Sequence, residues 1–264
     1  MAQYVHGYTK RETTRLQDQA GALVEIIHGQ AVFPGGSRIL EPGCGNGAQT
    51  VTLAANNPES AITSMDISAA SIEKAKTRVA HLTHVSFKQG NIYNLPFEDE
   101  SFDHVFVCFV LEHLKSPEDA LAELKRVLVT GGSITVVEGD HGSFYCHPES
   151  EAARKAVACL VKSQALAGGN ALIGRELYPL LKKAGFKAPV VMPKMVYVDA
   201  SKPDLVEGFS KNTFTAMIEG VRETALELKL IDEATWEEGI RGLYRATEKD
   251  GTFCYTFFSG TGTK

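Results

Sequence analysis

The chain lacks the features that would send it to a membrane, a polyanion or an oxidising compartment. Its 264 residues contain no block of Lys or Arg and carry a net charge of −5, so there is no basic footprint for nucleic acid. No apolar run reaches the ~18 residues needed to cross a bilayer, and the start Met1-Ala2-Gln3-Tyr4-Val5-His6 has neither a cationic leader nor an apolar h-region. A cytoplasmic protein with no membrane partner is expected. The five cysteines, Cys44, Cys108, Cys146, Cys159 and Cys254, are odd in number and never in C-x-x-C spacing, which fits a reducing compartment and argues against a zinc knuckle. His141 with Cys146-His147 is the one metal-like grouping, and its spacing is poor for ligation, so no metal is expected. Internal repeats, low-complexity tracts and flexible linkers are absent as well. With 44% hydrophobic residues, one domain spanning 1–264 with a single large core is the expectation.

What is present is a glycine-rich turn around which the rest is organised. Ser37-Arg38-Ile39-Leu40 leaves a Pro34-Gly35-Gly36 turn as a short strand, Gly43, Gly45 and Gly47 follow at alternate positions, and a helix-forming stretch runs from Ala48 to Ala55. Glycine serves where the backbone needs positive φ and where a ligand must lie against the main chain. A helix starting at such a turn directs unpaired N–H groups into it, which suits a phosphate or a carboxylate. Asp66 ends the next strand-like run, Ala61 to Met65, at the distance where an acid meets a ribose; it could instead cap the helix that follows. Gly43, Gly45 and Ala48 also read as a relaxed dinucleotide fingerprint, so a nicotinamide-dependent oxidoreductase stands as a rival.

Taken in order, Thr9 to Glu12 is a capping box, and Leu16, Ala20, Leu23 and Ile27 recur at helical spacing behind it. Tyr4-Val5-His6-Gly7-Tyr8 ahead of it is either an unordered start or a flap over the site. Ser68 caps a helix with Ile72, Ala75 and Val79 on its inner face. Strands are expected at Val85 to Gln89, at Val105 to Phe109 and at Ser133 to Val137, with a helix opened by Ser116-Pro117 between the last two. Helices at Ser150 to Ala167 and Ile173 to Ala184, a strand at 189–198 and a last strand at 251–259 complete the pattern. Between those last two strands, Phe214, Met217, Ile218, Val221, Ala225 and Leu228 read as one helical stripe and Trp236, Ile240, Leu243 and Tyr244 as another. Such stripes pack against a sheet or form a lid.

Glu41-Pro42-Gly43-Cys44-Gly45-Asn46-Gly47 resembles motif I of the class I S-adenosylmethionine-dependent methyltransferases, an acid followed by G-x-G-x-G. The match continues through Asn91-Ile92 after the third strand, Val110-Leu111-Glu112-His113 after the fourth, and Leu124-Lys125-Arg126-Val127-Leu128-Val129-Thr130-Gly131-Gly132, covering about Ser37 to Glu138. The resemblance implies a doubly wound, mostly parallel seven-stranded α/β sheet, Rossmann-like, with an N-terminal helix and a helical lid insertion between strands six and seven. It divides the chain into a flap and helix (1–36), a cofactor-binding core (37–139), a helical segment (140–188) and the last two strands (189–264) with the insertion at 203–248. It also implies S-adenosyl-L-methionine as cofactor, held by Glu41, Gly43, Gly45, Gly47, Asp66, Ile67, Asn91, Ile92, Phe109 and Val110. Here an amide, Asn91, stands where the family more often has an acid. The N-terminal Tyr4 to Tyr8 stretch and its helix are similar to a branch holding fungal enzymes that S-methylate gliotoxin-type dithiols.

Methyl transfer from a sulfonium is an in-line displacement that needs neither triad nor metal, only alignment and exclusion of water. An alcohol or amine acceptor needs a base; a thiol needs one far less. Candidates for the reacting centre are His113, Asp140, His141 and Tyr8. His113 could equally be a buried structural histidine, and Asp140 a cap for the segment behind it. The expected partner is a small-molecule methyl acceptor, thiol, oxygen, nitrogen or carbon; composition says nothing about oligomeric state.

Overall fold

Along the central strands, successive buried residues belong to two different cores. Ile39, Phe106 and Val137 pack on one face of the sheet with Leu53, Leu160 and Phe214, while Leu40, Val105, Val107 and Val136 pack on the other with Leu121, Leu124 and Leu181. This is the period-two alternation of a strand covered by helices on both sides, which is why the strands read as continuous apolar runs. The computed structural model describes residues 23–264. The Tyr4 to Tyr8 flap, Tyr8 included, and the Thr9 to Glu12 capping box lie outside the described residues. The end of the expected first helix is present as α1, Val24–His28.

Seven strands, β1 (Arg38–Pro42), β2 (Ala61–Asp66), β3 (Val85–Gln89), β4 (Phe102–Cys108), β5 (Leu128–His147), β6 (Lys187–Asp199) and β7 (Thr252–Thr263), pair in the order β3-β2-β1-β4-β5-β7-β6. β1 lies parallel to β2 and β4, β4 parallel to β5, and β7 antiparallel to both neighbours. The mostly parallel sheet is therefore as expected, with β7 reversed. A fully parallel dinucleotide fold has no such reversal. Helices α2 (Ala48–Asn56), α3 (Ala69–Arg78), α4 (Pro117–Val127), α5 (Glu151–Leu166) and α6 (Leu177–Lys183) fill the crossovers. Their starts follow the sequence: Ser68 accepts from the Ser71 N–H at the head of α3, Pro117 opens α4, and Ser150 caps α5 through the Ala153 N–H.

Two expectations need correction. Residues 140–147 are not the start of a helical segment but the far end of β5, which pairs with β7 on both sides of a bulge between Asp140 and Tyr145. A run of Gly, His, Ser and Tyr has no strand signature of its own; the long β7 supplies it with partners. The second correction concerns the insertion, where the expected continuous stripe from Phe214 to Leu228 is broken. Val206–Thr215 (α7) winds with π-type turns, Ala216–Glu219 resumes α pitch, and after Gly220 a separate α8, Arg222–Glu227, begins. The Thr213 and Thr215 hydroxyls each donate to the carbonyl five residues back, at Gly208 and Ser210, the reach of a π turn rather than an α turn. α9 (Glu233–Arg245) then buries Trp236 and Leu243 as its stripe predicts, while Tyr244 turns outward.

Candidate active site

The turn after β1 holds three left-handed glycines: φ is +72° at Gly43, +53° at Gly45 and +79° at Gly47. They are required for different reasons. A Cβ at Gly43 would come within 2.5 Å of the Val110 side chain, and one at Gly47 within 2.9 Å of Ala75 in α3, whereas one at Gly45 would meet nothing within 4 Å. The outer two let the turn close against its neighbours, and the middle one leaves open space at the carboxyl end of β1, the end at which such sheets take ligands.

Asp66 fixes that turn. Its Oδ2 accepts from the Gly45 N–H at 2.9 Å and its Oδ1 from the Ser68 N–H at 2.8 Å, joining the ends of β1 and β2. Capping and site reading thus both have a basis. The N–H groups of Cys44, Gly47 and Ala48 are bonded internally as well, to Met65 O, Cys44 O and Asn46 Oδ1. Four of the turn's donors are thus engaged within it rather than offered to an anion. With those four donors taken and Asp66 and Glu41 beside it, the turn is a poor cradle for two bridged phosphates and suits a ligand carrying positive charge.

Glu41 lies beneath the turn, 3% exposed, where Oε2 accepts from Thr50 Oγ at 2.7 Å and from Ser64 Oγ at 2.6 Å. Burial pushes its carboxyl up to about 7, against the two hydroxyl bonds that pull it down. Here Glu41 ties β1, α2 and β2 together. Ile67 is exposed beyond Asp66, Asn91 is exposed and accepts the Tyr93 N–H at 3.1 Å, and Ile92 is buried next to it. All are at the carboxyl ends of β2 and β3.

The turn after β4 closes the opposite wall. Phe109 stands at φ +56°, a conformation a non-glycine residue keeps only when its surroundings over-determine it. Its N–H donates to Val137 O at 2.9 Å, and the next two, of Val110 and Leu111, donate to Glu138 Oε1 at 2.9 and 2.7 Å. Glu138 is fully buried, and that burial, reinforced by Glu112, pushes its carboxyl well above the carboxylate range. Its ionised form is thus disfavoured, and its Oε2 has no hydrogen-bond partner among the described residues.

Beyond this turn the four catalytic candidates separate. His113 ends a short 3-10 turn, Leu111–His113, with its side chain one-fifth exposed and Nε2 3.5 Å from Glu112 Oε1. His141 is buried in β5, its Nδ1 2.6 Å from the Tyr255 hydroxyl and its Nε2 3.9 Å from Glu112 Oε2. Asp140 commits both oxygens to Arg175, at 2.7 and 2.8 Å, and takes the Gly142 N–H besides. It holds β5 to the Ile173–Glu176 turn. Tyr8 lies outside the described residues. Sequence reasoning missed Tyr255, Gln164 and Arg175, which reach the cluster from β7, from α5 and from that turn. Tyr255 had one available signal: it stands between Phe253 and Phe257 on the inward face of β7, where a phenol hydroxyl requires a partner. All five cysteines are free thiols, no group of metal-ligating side chains is found among the described residues, and none of their helices is long and apolar enough to cross a membrane.

The family model described as "Methyltransferase domain" matches residues 40–136, the segment carrying these turns. That segment carries a methyltransferase domain similar to those of the class I S-adenosylmethionine-dependent enzymes. That residue series, not the glycine turn alone, favours S-adenosylmethionine over a nicotinamide cofactor. Among curated relatives, an uncharacterized 37.1 kDa protein of a Streptomyces fradiae transposon is 37% identical over 70% of this chain and 54% of its own length. The chain thus spans about half of that relative. The 27-O-demethylrifamycin SV methyltransferase of Amycolatopsis mediterranei is 27% identical over 96% of this chain and 88% of its own. A phosphoethanolamine N-methyltransferase of Haemonchus contortus, solved with S-adenosylhomocysteine, superposes with a TM-score of 0.56 at 19% identity over 94% of this chain and 53% of its own, a likeness of fold. The open space at Gly45, the carboxylates beside it and the aliphatic wall of Val110 fit the methyltransferase cofactor, a sulfonium with an amino-acid tail.

Proposed function

We propose that this protein transfers a methyl group from S-adenosylmethionine to a small molecule, and that the accepting atom is a hydroxyl oxygen. The observation that carries the first part is the glycine turn, with its donors satisfied internally, its open centre at Gly45 and acids beside it. Gly43, Gly45, Gly47 and Asp66 would hold the cofactor from one side, with Ile67, Asn91 and Ile92 toward its adenosine and Phe109 and Val110 across from the turn. Glu41 supports the set from below. When bound, the cofactor supplies a methyl already activated for displacement. The chain's part is then to hold the acceptor in line, keep water out and take its proton.

Two observations favour oxygen. A hydroxyl keeps its proton at neutral pH and requires a base, and a polar cluster of Glu112, His113, His141 and Tyr255 stands next to the cofactor wall. The relative that aligns along nearly the whole chain is named for an O-demethyl substrate. His113, the more exposed of the two histidines, is the proposed base; Asp140 and His141 act from behind it. A thiol of a secondary metabolite is the second reading, supported by the N-terminal Tyr4 to Tyr8 motif. Cytoplasmic residence completes the proposal.

The test is release of S-adenosylhomocysteine on incubation with matched phenols, alcohols, thiols and amines, with the product's mass gain identifying the acceptor. Turnover with hydroxyl compounds and a fall in rate on His113→Ala are expected. Turnover confined to thiols, with His113→Ala fully active, would replace the oxygen reading; titration showing affinity for NAD(P) and none for S-adenosylhomocysteine would remove the whole proposal.

A further inference from the structure

Glu112 is the centre of a contact pattern that the methyltransferase motif does not require. Its carboxylate lies between two imidazoles, with Oε1 3.5 Å from His113 Nε2 and Oε2 3.9 Å from His141 Nε2. It is also gripped from a third element. Gln164 of α5, fully buried, donates its side-chain N–H to Glu112 Oε2 at 3.1 Å and to the Glu112 carbonyl at 3.0 Å, and the Asn170 N–H donates to that same carbonyl at 2.8 Å. Gly169 is needed for that grip, since a Cβ there would collide with the Glu112 carbonyl.

The proton positions follow from the partners. Tyr255 is buried, and burial with the nearby acids keeps its phenol protonated while the Asp140 backbone bonds to it. With its oxygen taken by the Asp140 backbone N–H, the phenol has its own proton to give to His141 Nδ1, an arrangement that puts the proton of a neutral His141 on Nε2, on the side of Glu112. Among the described residues, the titratable groups facing Glu112 are His113 on its own turn, His141 and Glu138 on β5, Tyr255 on β7 and Cys108 on β4, with the Asp140–Arg175 pair further along β5. Burial disfavours the ionised form of Glu138, and of the two carboxyls it is Glu112 that has the imidazoles and the Gln164 amide around it.

We propose that Glu112 is the positioning carboxylate of the acceptor-side base: placed by Gln164 between two histidines, it keeps the Nε2 proton on His113, leaves Nδ1 as the basic nitrogen and strengthens it as a proton acceptor. His141 and Tyr255 hold the far oxygen. The inference rests on the methyl-transfer reading of this site only for its consequence in catalysis; the placement of the proton is independent of it.

Histidine-labelled protein decides the matter by nitrogen-detected NMR titration. In the wild type, His113 is expected as the Nε2–H tautomer. In Glu112→Gln its protonation midpoint should fall by about one unit and the tautomer preference should be lost. Gln164→Leu, which keeps the charge but releases it, should produce a smaller fall, and it remains informative if Glu112→Gln does not fold. In turnover, the same shift should appear in the acid limb of the pH profile, with kcat near pH 7 down about tenfold and KM for S-adenosylmethionine unchanged. Glu112→Asp should restore part of it. An unchanged His113 midpoint and tautomer in both variants would overturn the role of Glu112 and leave methyl transfer standing. A wild type that transfers no methyl to any acceptor would remove the functional reading while the titration still decides the proton's place.

Discussion

The turn after β1 and the polar cluster after β4 stand at the carboxyl ends of adjacent strands, yet they are built by opposite means. The first is made by backbone: three left-handed glycines, N–H groups bonded within a few residues, and one acid from the neighbouring strand. The second is made by side chains from far along the chain, Glu112 with Gln164, Asp140 with Arg175, His141 with Tyr255. A site for an invariant cofactor can be carried by local geometry. A cluster of side chains from distant elements exists only once those elements have packed together.

If the two regions are independent, damage to one should leave the other working. Phe214 of α7 is buried against Phe144, Phe253, Tyr255 and His141. Phe214→Ala should cost about 3–5 kcal/mol of stability in urea unfolding. Affinity for S-adenosylhomocysteine at low temperature should stay within roughly twofold, as for uncoupled sites; a large fall would join the regions. Next in size is a pH effect confined to the cofactor half. Glu41 binds its proton up to about 7 in the folded chain against 4.5 in the unfolded one. Its stabilising contribution is therefore complete below the lower value and lost as pH rises to the upper one, a loss of roughly 3 kcal/mol. Subtracting the stability profile of Glu41→Gln from that of the wild type should expose this slope; parallel profiles would show that the acid is ionised throughout.

Asp66→Ala should weaken S-adenosylhomocysteine binding by about 1.5–3 kcal/mol, the range for a charge-assisted hydrogen bond, and an unchanged dissociation constant would limit Asp66 to shaping the turn. The smallest effect on stability separates two glycines. Gly45→Ala meets open space and should cost about 1 kcal/mol of backbone strain while cutting cofactor affinity more sharply. Gly47→Ala, pressed against Ala75, should show the larger loss of stability of the two.

The same division explains what could be read beforehand. The caps at Ser68 and Ser150, the strands β1 to β4 and the glycine turn are local patterns, and the structure shows them close to where the residues place them. The extension of β5 through Asp140 and His141 was not legible, because it exists only where β7 provides hydrogen bonds. The broken stripe in the insertion was lost for a similar reason: helical spacing cannot distinguish an α turn from the π turns that Thr213 and Thr215 stabilise. Asp140 and His141 were selected by type and position, and their ties to Arg175 and Tyr255 are bonds across 35 and 114 residues.

By itself the sequence determined the doubly wound sheet and the position of the glycine turn, since positive φ, strand alternation and helix starts are properties of neighbouring residues. Only the tertiary structure decided which of the polar groups after β4 and in β5 are bound up in structure, as Asp140 is with Arg175, and which keep some exposure, as His113 does. A carboxylate or an imidazole has the same chemistry in any sequence; its protonation and its reach are set by the buried partners that folding brings to it.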